Sequence, residues 1–436
     1  MKKTILVFAL IALVGLGGQA FAELDTVDTV PAATLLIPYF QVDVSDTSCS
    51  TSTGITTLFS VNNASAAPTI AHVTVWTDQS IPALDFDVYL TGFDVQTFNV
   101  RDFFCSGNLP ATGFAVSNRG PFSDPNIPFP SCNNTTTVGA NPVWGPGAIS
   151  VNFRNHLKAW FTGQASPITG NCAGFDRGNS IAAGYITVDQ TEDCSALFPS
   201  DAGYFTGGIA GFDNILWGDY FLVDEAGNFA QGFTAVHIEA ADPADTVNAY
   251  LPGEHTFYGR YVAATAVDQR EALPTTMGAR FATGGQFDET NFYIWREGNQ
   301  SVSPYSCALA GPSSWFPLGA DNTSGGGAII IFNEQEEPIT VTQGPSGEPV
   351  PDAPIPPNET QCWAVGPGAS GYDTGSFNFG WVYQNLQSDS VFPIYGDINA
   401  QQYTIYSISA AGRFSVGLDA VQLDNANDPI VNNPGN

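Results

Sequence analysis

Basic residues are scarce in this chain, and their scarcity bounds what it can do. Of 436 residues only 12 are Lys or Arg, against 42 Asp or Glu, for a formal net charge of −30. Lys2 and Lys3 open the chain, so beyond residue 22 the single lysine is Lys158. A surface of that sign repels nucleic acid and anionic lipid and attracts cations. Charged residues are only 12% of the total, so most of the surface must be Ser, Thr, Asn, Gln and Gly. Long apolar runs are also few. Ile5–Leu16 follows the two lysines, and Ala20-Phe21-Ala22 places small residues before Glu23, the pattern of a removable export signal over residues 1–22. Beyond it no stretch of 18 apolar residues occurs, so no membrane-spanning helix is expected. The end of the chain, Asp428–Asn436, reads as a polar tail rather than the closing strand of a membrane barrel. A soluble periplasmic, secreted or cell-surface protein is the expectation.

Cysteine pairs at metal or redox spacing are missing too. The seven cysteines, Cys49, Cys105, Cys132, Cys172, Cys194, Cys307 and Cys362, form no C-x-x-C, which argues against zinc ribbons and thioredoxin-like chemistry. In an oxidising compartment disulfides are their expected use. Pairs that bracket a loop or strand are favoured: Cys105–Cys132, Cys172–Cys194 and Cys307–Cys362, with Cys49 left over.

Period-two patterning is what the chain does have. Asp85-Phe86-Asp87-Val88-Tyr89-Leu90 alternates polar and apolar, and similar segments recur at Thr234–Glu239, Asn291–Arg296, Tyr403–Ile408 and Arg413–Leu418. The unbroken run Ile329–Phe332 suits a central strand. With 45 Gly and 30 Pro, turns interrupt the chain too often for a clear helix longer than about ten residues. The fold class is all-β, with two or more immunoglobulin-like β-sandwich domains and long Pro/Gly-rich loops at Gly107–Gly147 and Pro338–Thr360. Beyond the signal, the expected division is an N-terminal module at 23–105, a middle β-rich region at 106–285, a C-terminal module at 286–424 and a tail at 425–436. An internal echo links Val61-Asn62-Asn63 with Pro68 to Phe332-Asn333-Glu334 with Pro338. It fits either a duplicated module or the common use of Asn and Pro in hairpin turns.

Leu58–Asn63, Trp76 and Phe86–Leu90 resemble the immunoglobulin-like sandwich modules of secreted bacterial surface proteins. Together with Gly412–Asp419 they also resemble exported bacterial proteins of unknown function. That resemblance implies a fold and an address, and brings no activity or site residues with it.

No G-x-S-x-G or H-E-x-x-H occurs, and Gly366-Pro367-Gly368-Ala369-Ser370-Gly371 has a Pro within it and no helix pattern after it, so it is read as a turn. The densest ionisable stretch runs from His237 to Arg296. His237 and Glu239, on one face of a strand and joined by His255, are candidate metal ligands or an acid–base pair. The arginines there, Arg260, Arg270, Arg280 and Arg296, are expected to pair with acids at domain seams. Asp85 and Asp87 are candidate ligands for calcium, the one cofactor the acids suggest, since that ion takes several oxygens. Exposed Trp and Tyr among the 54 aromatic residues would suit sugar stacking, although most aromatics at strand positions are core. The expected function is a non-enzymatic secreted or cell-surface protein with a structural, adhesive, matrix or filament role. Its partner would be a protein or polysaccharide at the cell surface, with self-association possible in principle. The alternatives are a carbohydrate-binding or carbohydrate-active protein and a periplasmic metal-dependent protein.

Overall fold

The computed structural model describes residues 29–46, 54–107, 109, 137–138, 141–142, 144–145, 148–193, 195, 197–244, 249–252, 254–262, 267–298, 303–308, 328–339, 341–343, 349–351, 356, 358–386, 401–410 and 414–425. The expected export signal, most of the loop Gly107–Gly147, and Cys49, Cys132 and Cys194 lie outside the described residues.

The architecture is all-β, built from two sandwiches. In the first, one sheet has the order β14 (Val236–Ile238), β1 (Thr34–Asp43), β10 (Ile181–Thr191), β3 (Thr69–Thr77), β4 (Pro82–Leu90). It faces a sheet with the order β11 (Leu216–Trp217), β2 (Thr56–Asn63), β12 (Asp219–Asp224), β13 (Phe229–Thr234), with β5 (Val95–Asn99) also paired to β2. In the second sandwich, β17 (Ala328–Asn333), β22 (Phe379–Asn385), β15 (Pro274–Ala282) and β25 (Val421–Asn425) form one sheet in that order. The other runs β21 (Tyr372–Asp373), β20 (Thr360–Gly366), β16 (Glu289–Arg296), β23 (Gln402–Ala410), β24 (Phe414–Asp419). Short two-stranded ladders join β6 (Thr137–Val138) to β7 (Asn141–Pro142), β8 (Trp144–Gly145) to β9 (Ala148–Ile149), and β18 (Val341–Gln343) to β19 (Pro349–Pro351). The last of these puts a small hairpin inside the Pro-rich loop, at an edge where proline is tolerated.

The expected boundaries near 105 and 285 cut through sheets. Strands from residues 181–238 complete the sheet begun by β1, β3 and β4, and β15 belongs to the second sandwich. The run Ile329–Phe332 lies in β17, which pairs with β22 on one side and is hydrogen-bonded on the other to the Glu337–Ile339 segment, Ile331 accepting from Ile339 N–H at 2.9 Å. One further expectation is corrected. An 11-residue helix is present. Helix α1 is Val100–Phe104, α2 is Val151–Phe161 and α3 is Gly259–Val262. In α2 the Ser150 hydroxyl accepts from the Phe153 N–H at 3.2 Å, and buried Phe153, Leu157, Trp160 and Phe161 recur at helical spacing. Lys158 stands in its last turn, where the helix dipole favours a cation.

Burial explains why the strands differ in pattern. In β13 buried and open residues alternate, as for a sheet with one face on the core, whereas β3 is buried throughout. The sheet that holds β3 is covered on both sides, by its facing sheet and by α2 and the second sandwich. Phe161 of α2 packs on Phe40 of β1 at 5.6 Å, and Tyr39 of β1 meets Tyr293 of β16 at 5.4 Å. Each such fully buried ring contributes about 1.5–3 kcal/mol relative to leaving it in water. Trp76 and Trp295 are the largest of these buried side chains.

Candidate ligand-binding face

The ionisable residues singled out by sequence are mostly buried where strands and sandwiches meet. Arg260 reaches Glu359 at 2.8 Å and donates to the Ser80 hydroxyl at 2.8 Å and the Tyr185 hydroxyl at 3.1 Å. Glu359 also accepts from Tyr185 at 3.1 Å. These groups join the β3–β4 turn of the first sandwich to the residue before β20 of the second. Burial works against the Arg260 charge, yet Glu359 overcomes it and holds the guanidinium pKa well above its ordinary value. Arg270 is fully buried between Asp268 at 3.4 Å and Asp189 at 3.6 Å, and donates to the Gly211 carbonyl at 3.1 Å. Asp189 accepts in addition from Tyr204 at 2.8 Å and Thr34 at 2.5 Å. Both arginines are thus ion-paired. Arg296 is buried as well, and burial pulls its pKa down to about 10 although Glu359 opposes that shift. Arg280 departs from the expectation. It is exposed on β15 and makes no ion pair within 4 Å among the described residues.

His237 and Glu239 do not form a metal centre with His255. The strand expected over Thr234–Glu239 breaks at Ala235, because the chain crosses there from one sheet to the other, and Glu239 lies past the end of β14. His237 Nε2 accepts from the Gly218 N–H at 3.3 Å, at the break between β11 and β12. A Cβ at Gly218 would lie 2.3 Å from the Ser60 carbonyl oxygen, so glycine is required at that break. Burial lowers the His237 pKa, which suits a neutral ring that accepts through Nε2. His255 pairs instead with Glu297 at 3.1 Å. Among the described residues no three His, Cys, Asp or Glu side chains are placed to hold a metal ion.

Asp85 and Asp87, the candidate calcium ligands, are buried rather than presented to solvent. The β3–β4 register sets His72 opposite Asp87, and His72 Nδ1 lies 2.8 Å from Asp87 Oδ1. Asp87 Oδ2 accepts from the Ser195 N–H at 3.1 Å. Asp85 sits beside them, and burial pushes its carboxyl up to about 6. The cysteine pairing is corrected too. Cys172 is bonded to Cys307, with the Cα atoms 5.1 Å apart. Reciprocal backbone hydrogen bonds of 2.9 Å between Cys172 and Tyr305 hold the two segments in register. The bond therefore ties segments 135 residues apart instead of bracketing a short loop. Cys105 is disulfide-bonded, and Cys362 is an exposed free thiol.

The second sandwich presents a different kind of surface. Half of the exposed large hydrophobic side chains among the described residues fall between Phe379 and Leu423. Alternation in β22 turns Phe379, Trp381 and Tyr383 outward while Val382 and Gln384 are buried. Register places Arg280 of β15, Trp381 of β22 and Phe332 of β17 in one row across three strands. The rings of Phe332 and Trp381 stack at 4.7 Å with their planes 16° apart. Phe287 sits edge-on to both Phe379 at 6.0 Å and Phe414 at 6.2 Å, which continues the aromatic surface onto β24. Beside Trp381 the face is hollowed into a groove of about 650 Å³, with Val421 and Leu423 of β25 also in its lining. Gly278 leaves the floor low, since a Cβ there would press on Leu423 at 3.3 Å.

A turn after β17 sets the acidic part of the lining. Asn333 accepts from the N–H groups of Gln335 and Glu337, both at 2.9 Å, and Glu336 takes a left-handed φ of 64°. This brings Glu334 and Glu336 to the groove that Arg280 also lines. Asn63, at the end of β2, closes the equivalent turn by accepting from Ser65 N–H at 2.9 Å. The echo between the two segments is thus a shared Asn-closed turn. The aromatic row was legible as alternation in Phe379–Tyr383, but nothing in the sequence told this outward face from a core-facing one. At Gly366–Gly371 the chain forms a turn, as read from sequence, in which Asp373 accepts from the N–H groups of Gly368 at 2.7 Å and Gly375 at 2.9 Å.

No family model matches this chain, and no curated protein matches it. Among solved structures it has a slight similarity to the Streptomyces avermitilis alpha-L-rhamnosidase complexed with L-rhamnose. The identity is 8%, over 92% of this chain and 29% of that enzyme, with a TM-score of 0.17. A likeness of that size carries no argument about fold or activity.

Proposed function

We propose that this is an exported, non-enzymatic binding protein of the cell surface, which holds its partner on the outer face of the second sandwich. One observation carries the reading. The ionisable groups best suited to chemistry are buried and committed to one another, whereas an aromatic groove stands open. Exposed aromatic surface around a concavity is the usual mark of a ligand or interaction site. Export accords with the basic N-terminus, the apolar run Ile5–Leu16 and the disulfides. No helix among the described residues is long and apolar enough to cross a membrane. The test is fractionation of cells that express the full chain. The protein is expected in the surface-associated fraction, and the double variant F379S/W381S is expected to be released to the medium. Equal retention of the two proteins would overturn the reading.

A further inference from the structure

The row Arg280–Trp381–Phe332 and the two glutamates of the neighbouring turn say more about the ligand. We infer that the groove binds a neutral polysaccharide chain, an inference that rests on the surface-binding role proposed above. The row crosses three strands, roughly 10 Å at the usual strand spacing. Trp381 has one ring face on Phe332, and its other side is turned toward β15, where Arg280 is its directly paired neighbour. A sugar ring laid against Trp381 covers apolar carbon with its C–H face and turns its hydroxyls to the rim. Hydroxyls both donate and accept, and the lining provides for both. Arg280 has five N–H donors and no ion-pair partner in the described structure, while Glu334 and Glu336 are acceptors.

Other occupants fit worse. An apolar protein surface on this face would remove Arg280 and both glutamates from water without replacing their hydrogen bonds, which is costly. A second copy of the chain brings the same formal charge of −30 and is repelled. Anionic polymers meet the same repulsion, and one arginine beside two glutamates does not reverse it locally.

The experiment is calorimetric titration of the full chain, freed of its export segment, with cellohexaose, mannohexaose, xylohexaose and chitohexaose. An oligogalacturonate of equal length serves as the anionic control. Saturable binding of at least one neutral oligosaccharide and none of the anionic one is expected. W381A is expected to weaken it by about tenfold or more, as for a central aromatic anchor. R280Q, which keeps some donors and loses the charge, is expected to weaken it less. F379S provides a second aromatic variant should W381A fail to fold, judged by its unfolding temperature. Failure of every neutral oligosaccharide, stronger binding of the anionic one, or affinity unchanged in the folded aromatic variants would overturn the inference. So would concentration-dependent dimerisation abolished by W381A, because the face would then belong to a second copy. Surface retention lost in F379S/W381S without any glycan binding would overturn the glycan and leave the surface role intact.

Discussion

The seam between the sandwiches and the outer face of the second one use scarce cations in opposite ways. Arg260 in the seam, and Arg270 against β1 and β10 of the first sandwich, are out of water, and each is surrounded by carboxylate and hydroxyl oxygens. On the outer face, Arg280 is the same residue type, yet on β15 it stands exposed beside aromatic rings and pairs with no acid in the described structure. A buried guanidinium is held in place by the cost of leaving either partner uncompensated. An exposed one adds little to stability and is available for a ligand. The same sequence feature therefore stabilises one region and equips the other for recognition.

The largest expected effect breaks the comparison if it fails. R260M leaves the fully buried Glu359 without its cation, and R270M does the same to Asp189 and Asp268. Each is expected to cost on the order of 3–5 kcal/mol in urea unfolding, and R280M to stay within about 0.5 kcal/mol. Equal losses in all three would show that exposure does not separate the two regions. Next in size is the Cys172–Cys307 bond. C172S/C307S should lose roughly 2–4 kcal/mol, visible as a lower unfolding temperature without reductant. In the wild-type protein unfolded in urea without reductant, a thiol reagent should label Cys362, as peptide mass mapping would show. Labelling at Cys172 or Cys307 would contradict the pairing.

Smaller effects come from two buried groups with opposite signs of pH dependence. His156 packs on Trp160 at 4.0 Å, and burial lowers its pKa from 6.5 to about 4. The unfolded chain then takes up this proton before the folded one, so stability falls as pH drops from about 6.5 to about 4. The loss is on the order of 3 kcal/mol and absent in H156F. Asp85 has its carboxyl pKa raised to about 6. The folded form holds this proton more tightly, so its contribution is present below about 4 and lost as pH rises through about 6. D85N should therefore be more stable than wild type at pH 7.5 and no more stable at pH 3.5, as measured by urea midpoints. A constant difference across that range would place Asp85 in water. The smallest effect is on the outer face, where F379S should change stability by less than about 1 kcal/mol while abolishing surface retention in combination with W381S.

Strand content was legible because residues that alternate on a pleat leave a period of two. The neighbours of β17 were not, because an apolar run does not say which segments it pairs with. Helix α2 carries its signal in Ser150, Phe153, Leu157, Trp160 and Phe161, but the surrounding Gly and Pro obscured it. Arg260 and Arg270 were expected as ion pairs because a cation-poor chain has few other uses for buried arginine. Arg280 satisfies the same argument and lies outside, since spacing along a chain does not say which side of a strand is covered.

By itself the sequence determined an acidic, all-β chain with an export-like start, because composition, alternation and terminal patterning are local properties. Tertiary structure alone decided which strands complete which sheet, since β1 pairs with a strand that begins about 150 residues later. It also decided that Cys172 meets Cys307, that Asp85 and Asp87 are inside, and that Trp381 is outside. Each of these depends on what a residue meets across the fold, and such meetings are set by the packing of distant strands on one another rather than by neighbours in the chain.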